Sequence, residues 1–126
     1  MKKKIVISIN PEYVDSILKG LKKFEYRTRV AKNDIGKIII YETAPVKKIV
    51  AEVEIVDVLA MEPEKLWEKT KNKSGISKDF FDEYFKGRDL AYAYKLGKVI
   101  KYDEPKDLML YGIKSAPQSF VYVDWC

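Results

Sequence analysis

Hydrophobic and polar residues alternate along much of this chain with the period of a strand, and helical spacing interrupts them in a few places. Ile5, Ile7 and Ile9 alternate with Lys4, Val6 and Ser8, which predicts a first strand over Lys3 to Ile9. Asn10-Pro11-Glu12 reads as a helix start: asparagine at the cap, proline pre-set for the first turn, and a carboxylate at the positive end of the dipole. Tyr13, Val14, Ile17, Leu18 and Leu21 then share a helical face, and Gly20 supplies a left-handed stop. From Lys22 to Arg29 the period returns to two, with Phe24, Tyr26 and Thr28 on one face and Lys23, Glu25, Arg27 and Arg29 on the other. A turn at Asn33-Asp34-Ile35-Gly36 leads into a strand from Lys37 to Thr43, whose Ile38-Ile39-Ile40 run calls for burial on both faces. Pro45 ends it. Lys47 to Leu59 is a long strand with Ala51, Val53 and Ile55 inward and Glu52 and Glu54 outward.

The second half is more mixed. Glu62 to Lys69 suits a short helix around Leu66 and Trp67, and the polar stretch Thr70 to Gly75 reads as the most mobile loop. Ser77-Lys78-Asp79 resembles a cap and first turn, opening a helix with Phe80, Phe81, Tyr84 and Phe85 at core spacing and closed by Gly87. Leu90 to Leu96 alternates as a strand, and Gly97 hinges it by a hairpin or bulge into Val99 to Tyr102. Glu104 to Leu108 suggests one helical turn, and Ser119 to Trp125 a final strand. Strands outnumber helices, and the interval from Lys22 to Leu59 has no room for crossover helices, which disfavours a doubly wound parallel sheet. The expectation is an α+β fold: a small mixed, mostly antiparallel β-barrel with two or three helices packed outside.

Length and composition narrow the chemistry. A chain of 126 residues buries enough surface for one core without staples, so one domain over residues 1–126 is expected. Histidine is absent and the one cysteine is Cys126, which excludes a Ser-His-Asp or Cys-His nucleophile system, a His/Cys zinc site and an internal disulfide. No metal or cofactor is called for, although an all-carboxylate site for a hard cation stays open. The lone thiol fits a reducing compartment, and no segment reaches the roughly 18 apolar residues of a membrane span. A cytoplasmic protein that does not enter the membrane is the expectation. With 24 Lys+Arg against 19 Asp+Glu the net charge is +5, which favours an acidic partner such as RNA or a nucleotide; a Lys-rich solvated surface is the plainer explanation, and the one preferred for Lys2-Lys3-Lys4.

Gly20 to Arg27 is the segment with the most chemistry. A buried lysine among cations can lose its proton and serve as base or nucleophile, and Arg27 can hold a phosphate bidentately. The plainer alternative is a solvated strand face on which Glu25 pairs with its neighbours. Tyr41 and Thr43 place a phenol and a hydroxyl at a strand end, where Tyr41 can stack a base or equally be a core ring with a wet hydroxyl. The Phe80, Phe81, Tyr84, Phe85 set is assigned to the core. Glu52 and Glu54 lack any feature that would push their pKa values apart as a catalytic pair needs.

The strand, the Asn10-Pro11 helix, the Gly20-x-Lys22 turn and the strand ending in Arg27 together resemble the ASCH domains of the PUA-like superfamily. The resemblance continues through Ile40 to Pro45, Val50 to Val53, Asp82 to Gly87, Ala91-Tyr92-Ala93 and Ala116 to Phe120, and so spans nearly the whole chain. It implies a PUA-like barrel with a cleft beside the Gly20-x-Lys22 turn, lined by Lys22 and Arg27, in a family suspected of binding RNA or modified nucleobases. Some small bacterial ASCH proteins are acetylcytidine amidohydrolases that use a lysine, a threonine and a glutamate; Lys22 matches the lysine, and Glu25 stands where they have the threonine.

Two functions of different class follow. In the first, RNA or a modified nucleoside enters the cleft as a bound ligand, Lys22, Lys23 and Arg27 meet phosphate or base edge, Tyr41 stacks, and Glu25 and Thr43 complete the ligand-binding set; single-stranded RNA is favoured because its bases are free to stack. In the second, the chain is a hydrolase on a modified nucleoside or RNA, with Lys22 as base or nucleophile and Glu25 orienting it or shuttling protons. A protein-interaction module without nucleic acid is the third possibility.

Overall fold

The computed structural model of the chain describes residues 2–32 and 34–123. Within them lies one six-stranded sheet. Its strands are β1 (Lys3–Ile9), β2 (Phe24–Arg27), β3 (Ile35–Glu42), β4 (Lys48–Met61), β5 (Ala91–Lys106) and β6 (Phe120–Val123), in the spatial order β2-β5-β4-β3-β1-β6. Only the β1/β3 pair is parallel, and it is joined by a crossover containing the helix α1 (Pro11–Leu18); every other ladder is antiparallel. Two further helices, α2 (Pro63–Thr70) and α3 (Lys78–Tyr84), sit between β4 and β5 in the chain, separated by a 3-10 turn at Lys71–Lys73.

The central strands are buried on both faces, which accounts for the Ile38-Ile39-Ile40 run. Ile5, Ile7, Ile9, Ile38 and Ile40 pack with Val14 and Ile17 of α1 and with Val53 and Tyr94. Val6, Ile39, Tyr41, Ile49, Ile113 and Val123 form a second cluster. A third joins α2 and α3 to β2 and β5 through Leu66, Phe81, Phe85, Tyr26, Ala91 and Ala93.

Several local expectations change. Asn10 precedes α1 but makes no side-chain cap; its Oδ1 instead accepts the Thr43 hydroxyl at 3.1 Å, tying the start of α1 to the end of β3. Leu21 lies past the end of the helix and is exposed rather than part of its apolar face. Of the two alternatives expected at Gly97, the bulge holds and the hairpin does not. β5 runs on as one strand, with the β4 register shifting between Val53, opposite Val99, and Ile55, opposite Leu96. A Cβ on Gly97 would stand 2.8 Å from Val56 Cγ2, so the residue permits a close interstrand approach. Glu104 to Lys106 extend the strand, and the helical turn falls later, as a 3-10 turn at Leu108–Tyr111. The strand expected to reach Trp125 is β6, and residues 124–126 lie outside the described part.

The barrel itself is corrected. Among the described residues no ladder joins the edge strands β2 and β6, so the sheet does not close. Its two ends nevertheless meet through side chains: Arg27 of β2 donates from Nη2 to the Ser8 carbonyl of β1 at 2.9 Å, and the Arg29 guanidinium lies 5.6 Å from the centre of the Phe120 ring. The fold is therefore a strongly bent open sheet whose seam is bridged by two arginines. No helix among the described residues is long and apolar enough to cross a membrane.

Candidate functional site

The site begins with how the chain leaves α1. Gly20, at φ +77°, turns the backbone into the left-handed region that a residue with Cβ adopts at a cost, and the Leu21 and Lys22 amides then both donate to the Ser16 carbonyl. The next amide, of Lys23, donates to the Lys73 carbonyl at 2.8 Å, and the Lys23 carbonyl accepts from Leu96. Lys22 is thus fixed by its backbone on both sides, and its side chain runs inward, 2% exposed.

Its ammonium donates to the Ser74 carbonyl at 2.7 Å and lies 5.0 Å from the centre of the Tyr26 ring and 5.6 Å from that of Tyr13. Among the described residues no carboxylate forms an ion pair with it. Burial lowers the Lys22 pKa from its ordinary value; the Glu25 charge pulls it back up, and Arg27 pushes it further down. Next to it the Tyr26 hydroxyl donates at 2.6 Å to Thr70 Oγ1, which in turn donates to the Leu66 carbonyl. Burial raises the Tyr26 pKa to about 12, so this phenol keeps its proton at neutral pH. Burial also raises that of Tyr13, helped by Glu12 and Glu25.

Glu25 and Arg27 project from the same face of β2. The Arg27 Nε and Nη2 both bond Glu25 Oε2, at 3.0 and 2.7 Å, and Nη2 also reaches the Ser8 carbonyl. Both bonds converge on one carboxylate oxygen, and the pair is mostly out of solvent, where such charge-assisted bonds are stronger than in water. A cavity of about 220 Å³ opens against these groups, with Ser8, Asn10 and Ile76 in its wall and Tyr13, Phe80 and Tyr84 around it. Phe80 and Tyr84 are nearly parallel at 6.3 Å, and Tyr13 meets Phe80 edge-on at 6.0 Å.

Of the residues singled out in the sequence, Lys22, Glu25 and Arg27 come together in this cavity. Lys23 does not line it and serves through its backbone instead. Tyr41 is turned away: its ring is 7% exposed in the cluster with Val6, Ile39 and Ile49, because a register shift between Ile40 and Tyr41 follows a strand already buried on both faces. Thr43 stays outside the wall and acts on it through Asn10. Sequence reasoning missed Tyr13, Tyr26, Phe80 and Tyr84 as cavity groups. Phe81 and Phe85 are core as expected, whereas Phe80 is 48% exposed and Tyr84 only partly buried. The Thr70 to Gly75 segment, expected as the most mobile loop, instead carries part of the site: Ser74 is buried, and its carbonyl holds the Lys22 amine.

Comparison with known proteins identifies the family of the chain. Over 121 residues, 94% of this chain, it is 33% identical to the large ribosomal subunit protein uL22 of Ureaplasma parvum, but spans only 39% of that protein. It is 29% identical over 96 residues to an ASCH domain-containing ribonuclease of Zymomonas mobilis, 75% of this chain and 65% of that one. The crystal structure of ASCH from Zymomonas mobilis superposes with a TM-score of 0.88 at 26% identity, covering 96% of this chain and 87% of that one. The ASCH domain family matches residues 7–106, which include all three charged residues of the cavity, and the chain belongs to that family.

Proposed function

We propose that the chain acts on RNA by taking a single unpaired nucleotide into the cavity at Lys22. The observation that carries this reading is Lys22 itself, a buried amine without a carboxylate partner at the wall of a small aromatic-rimmed cavity. Removing an ammonium from water is costly, and a fold that does so with no ion pair to it, the nearby Glu25 being engaged by Arg27, supports a ligand that supplies an anionic partner. The cavity is smaller than the roughly 300–1,000 Å³ common for larger ligands, which fits one base or one sugar-phosphate unit rather than a duplex. Tyr13, Phe80 and Tyr84 offer ring faces to a splayed base, and RNA presents such bases in loops and single strands.

A second reading, cleavage, is favoured by the lowered pKa of the same amine. In its neutral form Lys22 can take the proton from a ribose 2′-hydroxyl; the oxygen attacks the adjacent phosphorus, a cyclic phosphate forms, and the departing 5′-oxygen takes a proton from the resulting ammonium or from water. Arg27 would stabilise the negative charge on the non-bridging phosphoryl oxygens, and Glu25 would position Arg27. The relative described as a ribonuclease makes RNA the first substrate to try. Acetylated cytidine is the second, on the sequence resemblance that matches Lys22 to the lysine of the amidohydrolases.

The test is to incubate single-stranded RNA and, separately, acetylcytidine with the wild-type chain, Lys22→Met and Phe80→Ala, following binding by anisotropy and products by mass spectrometry. Cleaved RNA that disappears in Lys22→Met supports the cleavage reading. Salt-sensitive binding without product, weakened by Phe80→Ala, supports recognition and removes cleavage. Turnover of acetylcytidine alone would replace RNA by a modified nucleoside, and no response to either compound would overturn both readings.

A further inference from the structure

The open seam of the sheet has a second concave stretch. A groove of about 500 Å³ is lined by the chain after β2 together with Tyr92 of β5 and Phe120 and Tyr122 of β6. It contains two cations, Arg29 and Lys32, and three aromatic rings; among the described residues no carboxylate lines it. The lysine-rich groove at the other end of β1 differs in this respect. There Lys2, Lys3, Lys4, Lys37 and Lys98 share their walls with Glu52 and Glu54, and Lys37 is already paired with Glu52 at 2.6 Å.

The seam groove adjoins the Lys22 cavity. Arg27 lines the cavity, Thr28 and Arg29 line the groove, and Tyr92 of the groove sits directly opposite Arg27 in the β2/β5 ladder. On the other bank Ser8 lines the cavity while Phe120, the register partner of its neighbour Ile7, lines the groove. Arg29 lies two residues beyond Arg27, in the bend that follows β2, and two residues of chain span at most about 7 Å, so the cavity and the groove lie within reach of successive nucleotides of one extended strand. Aromatic faces beside cations suit a single-stranded polynucleotide, because stacking is available to every base and the phosphates meet the positive charge.

We infer that the groove of Arg29, Lys32, Tyr92, Phe120 and Tyr122 is a second subsite, which holds the nucleotides of a single RNA strand flanking the one seated at Lys22. This inference rests on the RNA reading of the cavity and specifies its substrate as an oligonucleotide rather than a free nucleoside. Because no carboxylate among the described residues lines the groove, Arg29 and Lys32 act as phosphate contacts, and the rings give sequence-tolerant stacking.

The experiment measures affinity for labelled single-stranded oligoribonucleotides of two and eight residues. It compares wild type, Arg29→Glu/Lys32→Glu and a control of equal charge change, Lys98→Glu/Lys101→Glu. All four positions are exposed, so folding is preserved, and circular dichroism verifies this. The expected result is a wild-type preference of tenfold or more for the longer strand, collapsing toward parity in the Arg29/Lys32 variant and largely retained in the control. Equal losses in both variants would mean only nonspecific attraction and would overturn the subsite. So would a wild-type preference that survives Arg29→Glu/Lys32→Glu while Lys22→Met still abolishes binding, a result that leaves the cavity reading intact. If wild type binds neither strand, the RNA reading fails and takes the subsite with it.

Discussion

The backbone of Gly75 lies directly over the side chain of Lys22: a Cβ at position 75 would stand 2.6 Å from both Cβ and Cγ of the lysine. Gly75 also has φ +70°, so glycine is required there for space and for conformation alike. The contact presses the loop onto Lys22 and brings the neighbouring Ser74 carbonyl to its ammonium. Gly75→Ala must therefore lift the loop. Left-handed strain of about 1–2 kcal/mol and overpacking of about 1–3 kcal/mol add to an expected loss of roughly 2–5 kcal/mol in urea denaturation. RNA affinity at the cavity should fall in parallel. A variant as stable as wild type would show that the loop yields without cost.

Lys22→Met keeps the bulk of the side chain and removes its charge. Burial of the ammonium ceases to be a cost, while the Ser74 carbonyl loses its donor at about 1–3 kcal/mol, so the two terms largely offset near neutral pH. The pH dependence separates them. Folded Lys22 releases its proton at lower pH than the unfolded side chain at 10.5, so within that window the unfolded state holds more protons and wild-type stability gains as pH rises. Lys22→Met lacks this gain. Its stability relative to wild type should be highest on the acid side of the window and decline toward pH 10.5, and Tyr26, common to both proteins, cancels in the difference. Parallel stability profiles would mean that Lys22 is not perturbed by burial.

Glu25 and Arg27 act on Lys22 in opposite directions. The Glu25 charge raises the lysine pKa and the Arg27 charge lowers it. Glu25→Gln should therefore move the titration of Lys22 to lower pH, and Arg27→Met should move it to higher pH, as read from the NMR shift of the Lys22 side-chain nitrogen. Glu25→Gln also weakens the forked bond that holds Arg27, so any RNA cleavage should lose rate beyond what the shifted titration accounts for. Shifts of the same sign in both variants would refute this electrostatic arrangement.

Much of this site was readable in the sequence, for physical reasons that also mark where reading failed. Lys22 and Arg27 were found because the Gly20 turn and a four-residue strand are local, and each leaves a pattern in nearby residue types. The Ser74 carbonyl left none, since a backbone acceptor has no side-chain signature and the polar letters around it resemble any solvated loop. Tyr41 and Tyr26 are both strand tyrosines; which one faces a cavity depends on a register shift and on which elements cover each face, neither of which is encoded locally. Closure failed similarly, because whether β2 pairs with β6 is decided by how far the whole sheet bends.

The aromatic stripe of α3 provides the last prediction. Phe80 and Phe81 are adjacent, identical in type and read from sequence as core, yet Phe81 is fully buried against Tyr26 and Trp67 while Phe80 is 48% exposed beside Tyr84. Successive helical residues are about 100° apart around the axis, so a stripe wide enough to include both also extends past the core and over the cavity. Phe81→Ala should cost about 3–5 kcal/mol by removing a buried ring. Phe80→Ala should cost less than about 1 kcal/mol. If a base stacks on Phe80, its loss should weaken RNA binding by about 1–3 kcal/mol, roughly five- to 150-fold in Kd, measured by anisotropy on folded protein. A stable Phe80→Ala variant with unchanged Kd would assign the exposed ring to no ligand and would leave only Tyr13 and Tyr84 to stack a base beside Lys22.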